Sequence, residues 1–328
     1  RERLKFGFSI AINKKTCYNL NKHINRRTEE MKKMKVILCL IVAVITVFVF
    51  TACGGGTFDG NFKKEATAEE IKSVTADAKQ ATGENGTDAI TAEVNKIIKS
   101  NVKLDVSYTE DGETTAVKID SDQKTGITSE NKVQFLSENK LSINDKSLEM
   151  NVYGTDGDIY IKIDEEKFKI GTALSGSLGI DLSKLTESVN GINYLNEQLN
   201  ELLAFSGEQL SEAGVKVYID QSEKFTKIKY SVSAKALAQM GSEEEANISL
   251  NDYYIIVVLD ADKKLYGIKV LCDFVISDGT DSMSMKLEGS VEKSDEKIKF
   301  RSFEGYEEAT AQSMENISDK LSEFFKTL

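Results

Sequence analysis

From residue 102 onward, apolar side chains recur at every second position. "NVKLDVSYTEDGETTAVKID" places Val102, Leu104, Val106 and Tyr108 on one side, then Val117 and Ile119, around Asp111-Gly112. Period-two alternation broken by Asp-Gly predicts a β-hairpin with a tight turn. The same alternation predicts strands over 132–137, 140–144, 147–154 and 158–164. After an interruption it predicts further strands over 214–220, 224–233, 247–250, 252–260, 264–277, 282–293 and 296–303. "YYIIVVL", 253–259, is apolar at consecutive positions, as in a strand covered on both faces. In "LYGIKVLCDFVIS", Tyr266, Ile268, Val270, Cys272, Phe274 and Ile276 fall on one strand face, which makes Cys272 a small buried hydrophobe.

Elsewhere the period lengthens to that of a helix. Residues 67–81 carry Ile71, Val74 and Ala78 on one side, with Thr67 and Glu70 at capping-box spacing. Spacing also predicts helices over 88–99 (Ile90, Val94, Ile97, Ile98) and over 181–205 with a Gly191 interruption. Two more are predicted over 233–241 and 310–325. The order helix, sheet, helix, sheet, helix predicts one α+β domain: helices packed on one face of a long, curved antiparallel sheet.

One run obeys neither period. Val36 to Phe50 is uncharged, follows Met31-Lys-Lys-Met-Lys35 and ends in Phe50-Thr51-Ala52-Cys53-Gly-Gly-Gly56. A basic segment, an apolar segment and a small-residue step describe a secretory signal, and fifteen uncharged residues are short for a spanning helix. The step resembles the lipobox of bacterial lipoproteins, with Phe50 in place of the usual leucine. That resemblance implies a thioether-linked diacylglycerol on Cys53, which becomes the first residue and holds the protein to the membrane. The expected organisation is then 1–30 as an extension upstream of the true start at Met31 or Met34, 31–52 as signal peptide, 53–66 as lipidated flexible tether, and 67–328 as a single domain ending in an amphipathic helix. The protein is expected outside the cytoplasm, lipid-anchored to the cell membrane.

Charge narrows the partners. The chain has 42 basic and 53 acidic residues, and eleven of the former and three of the latter lie in residues 1–52. The remaining 276 residues therefore carry a net charge near −19. Such a surface offers no footprint for nucleic acid. Its only histidine is His23, upstream of the signal, and its only arginine after residue 52 is Arg301. Histidine-dependent nucleophilic catalysis and histidine-ligated zinc are thereby excluded from the mature chain, and no cofactor is expected. Cys272 has no cysteine partner once Cys53 carries lipid. The acidic group Asp156, Asp158, Asp164, Glu165 and Glu166 lacks the EF-hand order and reads as turns and a strand end. Paired carboxylates for glycoside hydrolysis find no tryptophan platform, and the expectation is a protein that is not an enzyme.

Taken together, the lipobox, a helix before "NVKLDVSY", helices before "GVKVYIDQSEKFTKIKYSV" and the hairpin "YYIIVVLDADKKLYGIKVLCDF" resemble the LolA-like lipoproteins, of the LprG and LppX type, from Gram-positive and mycobacterial envelopes. The resemblance implies an incomplete β-barrel whose concave face is covered by helices, and a lipid or acylated ligand carried between them. Candidate pocket residues are Val106, Val117, Ile161, Leu195, Leu199, Leu202, Ile268 and Val270. The alternative is an envelope interaction or sensor module of the same fold whose apolar face is a filled core.

Overall fold

The structure, a computed structural model, describes residues 57–82, 95–130, 132–155, 157–171, 206–212, 214–233, 247–278 and 281–325. Within them twelve strands form one sheet. They are β1 (Ile97–Glu110), β2 (Glu113–Ile127), β3 (Val133–Ile143), β4 (Lys146–Thr155), β5 (Asp158–Ile163), β6 (Glu166–Ile170), β7 (Val215–Gln221), β8 (Thr226–Val232), β9 (Asn247–Leu259), β10 (Leu265–Asp278), β11 (Asp281–Ser294) and β12 (Glu307–Glu308). Their spatial order is β12-β6-β5-β4-β3-β2-β1-β11-β10-β9-β8-β7, so the sheet is curved but does not close into a barrel. Every pairing is antiparallel except the short parallel contact of β12 with β6. Three helices are described: α1 (Ala68–Thr82), α2 (Gly207–Glu212) and α3 (Ala311–Phe325).

The turn chemistry is local. Asp111 (φ 51°) and Gly112 (φ 82°) both take the left-handed conformation that a two-residue hairpin requires between Glu110 and Glu113. The α1 capping box forms as spaced: Glu70 N–H donates to Thr67 Oγ1 at 3.2 Å, and Thr67 N–H donates to Glu70 Oε2 at 2.7 Å. At α3, Ser313 N–H donates to Thr310 Oγ1 at 3.1 Å.

Several expectations are corrected. Ile97 and Ile98 open strand β1 and do not belong to a helix over 88–99; residues 83–94 lie outside the described residues. Asn95, at φ 65°, turns the chain there, and Ile98, Val102, Leu104 and Val106 then continue a period of two along β1. Strands 132–137 and 140–144 are one strand, because Asn139 stays within the sheet and satisfies its amide there. Strands 247–250 and 252–260 are also one, with a bulge at Asn251, whose amide donates to Asp273 Oδ1 at 2.8 Å. A second bulge between Leu265 and Gly267 sends Tyr266 to the face opposite Ile268. Residues 296–303 are not a strand. They cross the sheet as a strap, with Phe303 stacked on Tyr160 at 3.9 Å and edge-on to Tyr153 at 6.1 Å, before β12 pairs with β6. Strand β6 was not expected; Asp164-Glu165, with Asp164 at φ 51°, forms the turn that creates it. The helices expected over 181–205 and 233–241 fall outside the described residues, apart from Ser233, as do the signal segment and Cys53. Of the expected tether, residues 57–66 are described; Phe58 and Phe62 pack on the sheet and Glu65 and Ala66 pair with β7, while the residues between are exposed.

Candidate functional site: one apolar sheet face

Cross-strand pairing fixes which side chains share a face. Val106 pairs with Val117 of β2 and Met285 of β11, and Met285 pairs with Phe274 of β10. Continuing outward, Ile268 and Val270 pair with Val257 and Ile255 of β9, which pair with Ile228 and Tyr230 of β8. In the other direction Ile119 pairs with Leu141 of β3, Leu141 with Leu148 of β4, and Val152 of β4 with Ile161 of β5. One face of the sheet is therefore a continuous apolar surface from β7 to β6.

Five of the eight candidates, Val106, Val117, Ile161, Ile268 and Val270, stand on this face. Leu195, Leu199 and Leu202 lie outside the described residues. The face divides into three clusters. At one end, Ile71 and Val74 of α1 and Leu210 of α2 pack on β7 to β11. At the other, Leu321 and Phe324 of α3 pack on Ile143, Leu148 and Ile163. Between them Val102, Leu104, Val106 and Ile119 are 1–5% exposed, with Leu141, Met283, Met285 and Leu287 against them. Among the described side chains, none from the three helices belongs to this middle cluster.

Beside the middle cluster lies a polar group that alternation did not single out. Asn139 accepts a hydrogen bond from Ser121 Oγ at 2.6 Å and donates to Ser137 Oγ at 3.0 Å and to the Met150 carbonyl at 2.9 Å. Gln123 donates to Ser121 at 3.3 Å. Ser121 pairs with Val102, so this network stands on the apolar face, where each unmet bond carries a desolvation penalty. Polar residues at inward parity (Ser121, Gln123, Ser137, Asn139) were the signal in the sequence. Tyr230, 1% exposed, has no hydrogen-bond partner for its hydroxyl among the described residues, and burial pushes its phenol above the usual range. Cys272 is buried on the same face, and burial raises its thiol to about 11, consistent with a packing role.

The opposite face is polar in its middle and covered at both ends. Lys118 pairs with Asp105 at 2.8 Å and Lys269 with Glu288 at 2.6 Å. A shallow depression of about 400 Å³ lies there, lined by Lys103, Asp105, Lys118, Asp120 and Lys140 among others. A second depression, about 430 Å³, opens between α1, α2 and β7. The acidic group is dispersed: Asp158 pairs with Lys169 at 2.9 Å, Glu166 pairs with Lys320, and Asp164 accepts from the Glu149 N–H at 3.1 Å. Asp156 is outside the described residues. Among the described residues no three His, Cys, Asp or Glu side chains are placed to hold a metal ion, and no helix is long and apolar enough to cross a membrane.

No protein-family model matches the chain, and no curated protein matches it. Among solved structures it is similar to LprF from Mycobacterium bovis, at 11% identity and a TM-score of 0.24, over 69% of this chain and 95% of that one. It is also similar to the ywiB protein from Bacillus subtilis, at 11% identity and a TM-score of 0.15, over 63% and 99%. A DUF1329 family protein from Desulfovibrio piger follows at 6% identity and 0.16, over 68% and 92%. Scores this low carry no argument, and the functional reading rests on this chain's own residues.

Proposed function

We propose that the chain is an extracytoplasmic lipoprotein, held to the membrane through Cys53, that binds a lipid or acylated ligand over the middle of its apolar sheet face and catalyses no reaction. One observation carries the reading. The cluster around Val102, Val106, Ile119 and Met285 is built for apolar contact, and the described side chains of α1, α2 and α3 that pack on this face do so on either side of it. Leu195, Leu199 and Leu202, the other candidates for this pocket, lie outside the described residues. Each methylene transferred to the cluster gains about 0.8 kcal/mol. A chain of about twelve carbons thus gains roughly 10 kcal/mol, against an association cost of about 4 kcal/mol or more. Binding needs no charged recognition on these terms, and Met283 and Met285 let the surface adapt to chains of different shape.

A second reading, an envelope interaction module with a filled core, draws on the near-complete burial of Val102 and Val106. Uptake of a fluorescent fatty acid by the purified chain separates the two. Saturable binding that Met285→Asp abolishes, in a variant that unfolds cooperatively like the parent, supports the carrier. No uptake by the parent supports the filled core.

A further inference from the structure

The segment that follows Cys53 docks on the sheet almost at once. Phe58 is buried against Ile256 and Val258 of β9, on the face opposite the apolar one. Gly267 makes room for it: a side chain there would begin 3.1 Å from the Phe58 ring and 2.5 Å from the Val291 carbonyl. Lys227 Nζ then donates to the Asp59 carbonyl, and Ala66 N–H donates to the Val217 carbonyl at 2.8 Å. Four residues lie between Cys53 and Phe58, and the five Cα-to-Cα steps reach at most about 18 Å.

Ile256, Val258 and Gly267 lie toward the sheet end that carries the β2–β3 (128–132), β4–β5 (156–157), β7–β8 (222–225) and β9–β10 (260–264) turns. The other end is formed by the β1–β2, β3–β4, β5–β6 and β10–β11 turns. Charge distinguishes the two. The far turns read Glu110-Asp111-Gly112-Glu113, Asp145-Lys146, Asp164-Glu165-Glu166 and Asp278…Asp281, with one lysine among them. The near turns are close to balanced: Lys132, Lys224, Lys263 and Lys264 stand against Glu130, Asp158, Glu223, Asp260 and Asp262 among the described residues. Beside them Phe225 and Tyr266 are half-buried, rings 4.8 Å apart, an aromatic pair of the kind that sits at a headgroup layer.

We propose that the β7–β8 and β9–β10 turn end, with Phe225, Tyr266, Lys224 and Lys264, rests on the anionic bilayer that holds Cys53, and that the acidic far turns point away from it. The proposal rests on the lipid anchor named above. A short tether fixes which corner of the domain lies near the membrane. Repulsion between acidic headgroups and the far turns fixes the tilt. The two ends are about 45 Å apart, from fourteen strand residues at about 3.3 Å each.

The test uses the full chain, matured in a lipoprotein-processing host and reconstituted into vesicles of equal phosphatidylcholine and phosphatidylglycerol with a headgroup-attached quencher. A fluorophore is placed on Lys224→Cys or Lys264→Cys, and on Glu113→Cys or Glu165→Cys; Cys272 is buried and Cys53 is blocked by lipid. Quenching several-fold stronger at 224 and 264 than at 113 and 165 is expected, and high salt should narrow the gap. A lipidated protein quenched equally at all four positions, or more at 113 and 165, overturns the orientation while leaving the anchor intact. A mature chain without the diacylglycerol mass that fails to float with vesicles removes the anchor, and the orientation with it.

Discussion

Asn139 is the polar residue most deeply committed within the apolar face, and its removal has a computable consequence. Asn139→Leu deletes an acceptor and two donor contacts: Ser121 Oγ at 2.6 Å, Ser137 Oγ at 3.0 Å and the Met150 carbonyl at 2.9 Å. Ser121 is 1% exposed, so its hydroxyl finds no water in exchange. An orphaned buried group costs about 1–3 kcal/mol, and the lost amide-to-carbonyl bond adds about 1 kcal/mol. The single variant is therefore expected to lose roughly 2–4 kcal/mol in urea unfolding, with an unchanged denaturant slope. Removing both partners should reverse much of this. Ser121→Ala with Asn139→Leu leaves the Met150 carbonyl as the main unmet group, and the pair should be about 1–2 kcal/mol more stable than additivity gives. Additive losses, or a harmless Asn139→Leu, would refute the idea that this network is a mutually satisfied insert in an apolar surface.

Other outcomes follow from single contacts. Gly154 faces the Phe135 ring so closely that a side chain at 154 would begin 1.9 Å from it, so Gly154→Ala should lose about 1–3 kcal/mol in urea unfolding, and a compensating Phe135→Leu should recover part of that. Thr67→Ala should loosen α1 by about 1 kcal/mol, seen as faster hydrogen exchange in residues 68–72. The Thr67 N–H, followed by Lys64, also holds the Glu70 carboxyl below its usual range. That contribution is present above the ordinary glutamate range and is lost as pH falls through the lowered value, which an NMR titration of Glu70 would show. Burial raises the Cys272 thiol to about 11, so the folded state prefers the neutral form, and stability falls as pH rises from the ordinary thiol range toward that value. At neutral pH Cys272 should resist thiol reagents until the chain is denatured, and rapid labelling of the folded protein would contradict its packing role.

Strands that alternate on a wetted sheet were legible because one face must be dry and the other wet: β4, β5, β10 and β11 follow their periodicity to within a residue, and the β1–β2 hairpin turns where expected but with longer strands. Caps and turns were legible for a similar reason, since Thr67–Glu70 and Asp111-Gly112 satisfy their own backbone groups. Failures came where tertiary contact overrode local pattern. Ile97 and Ile98 fit a helical stripe and a strand equally, and the sheet took them. Ile298 and Phe300 alternate like a strand, but Phe303 is out of phase with them; its ring packs on Tyr153 and Tyr160, and Phe300 packs on Phe303. The polar insert around Asn139 was misread as a break between two strands because its partners, Ser121 and Met150, are distant in sequence and invisible to a periodicity argument. Bulges at Asn251 and Tyr266 shift a face by one residue, which alternation alone does not register.

A lipid carrier of this kind must hold its ligand over the middle of the apolar face. Native mass spectrometry of the protein released from membranes, with organic extraction of whatever travels with it, addresses that directly. The expected result is a stoichiometric acylated molecule beyond the mass of the Cys53 anchor, absent from a cooperatively folded Met285→Asp variant. A parent chain that flies at its own mass plus the anchor alone, and takes up no offered fatty acid, would contradict the carrier reading and leave the sheet face as a filled core.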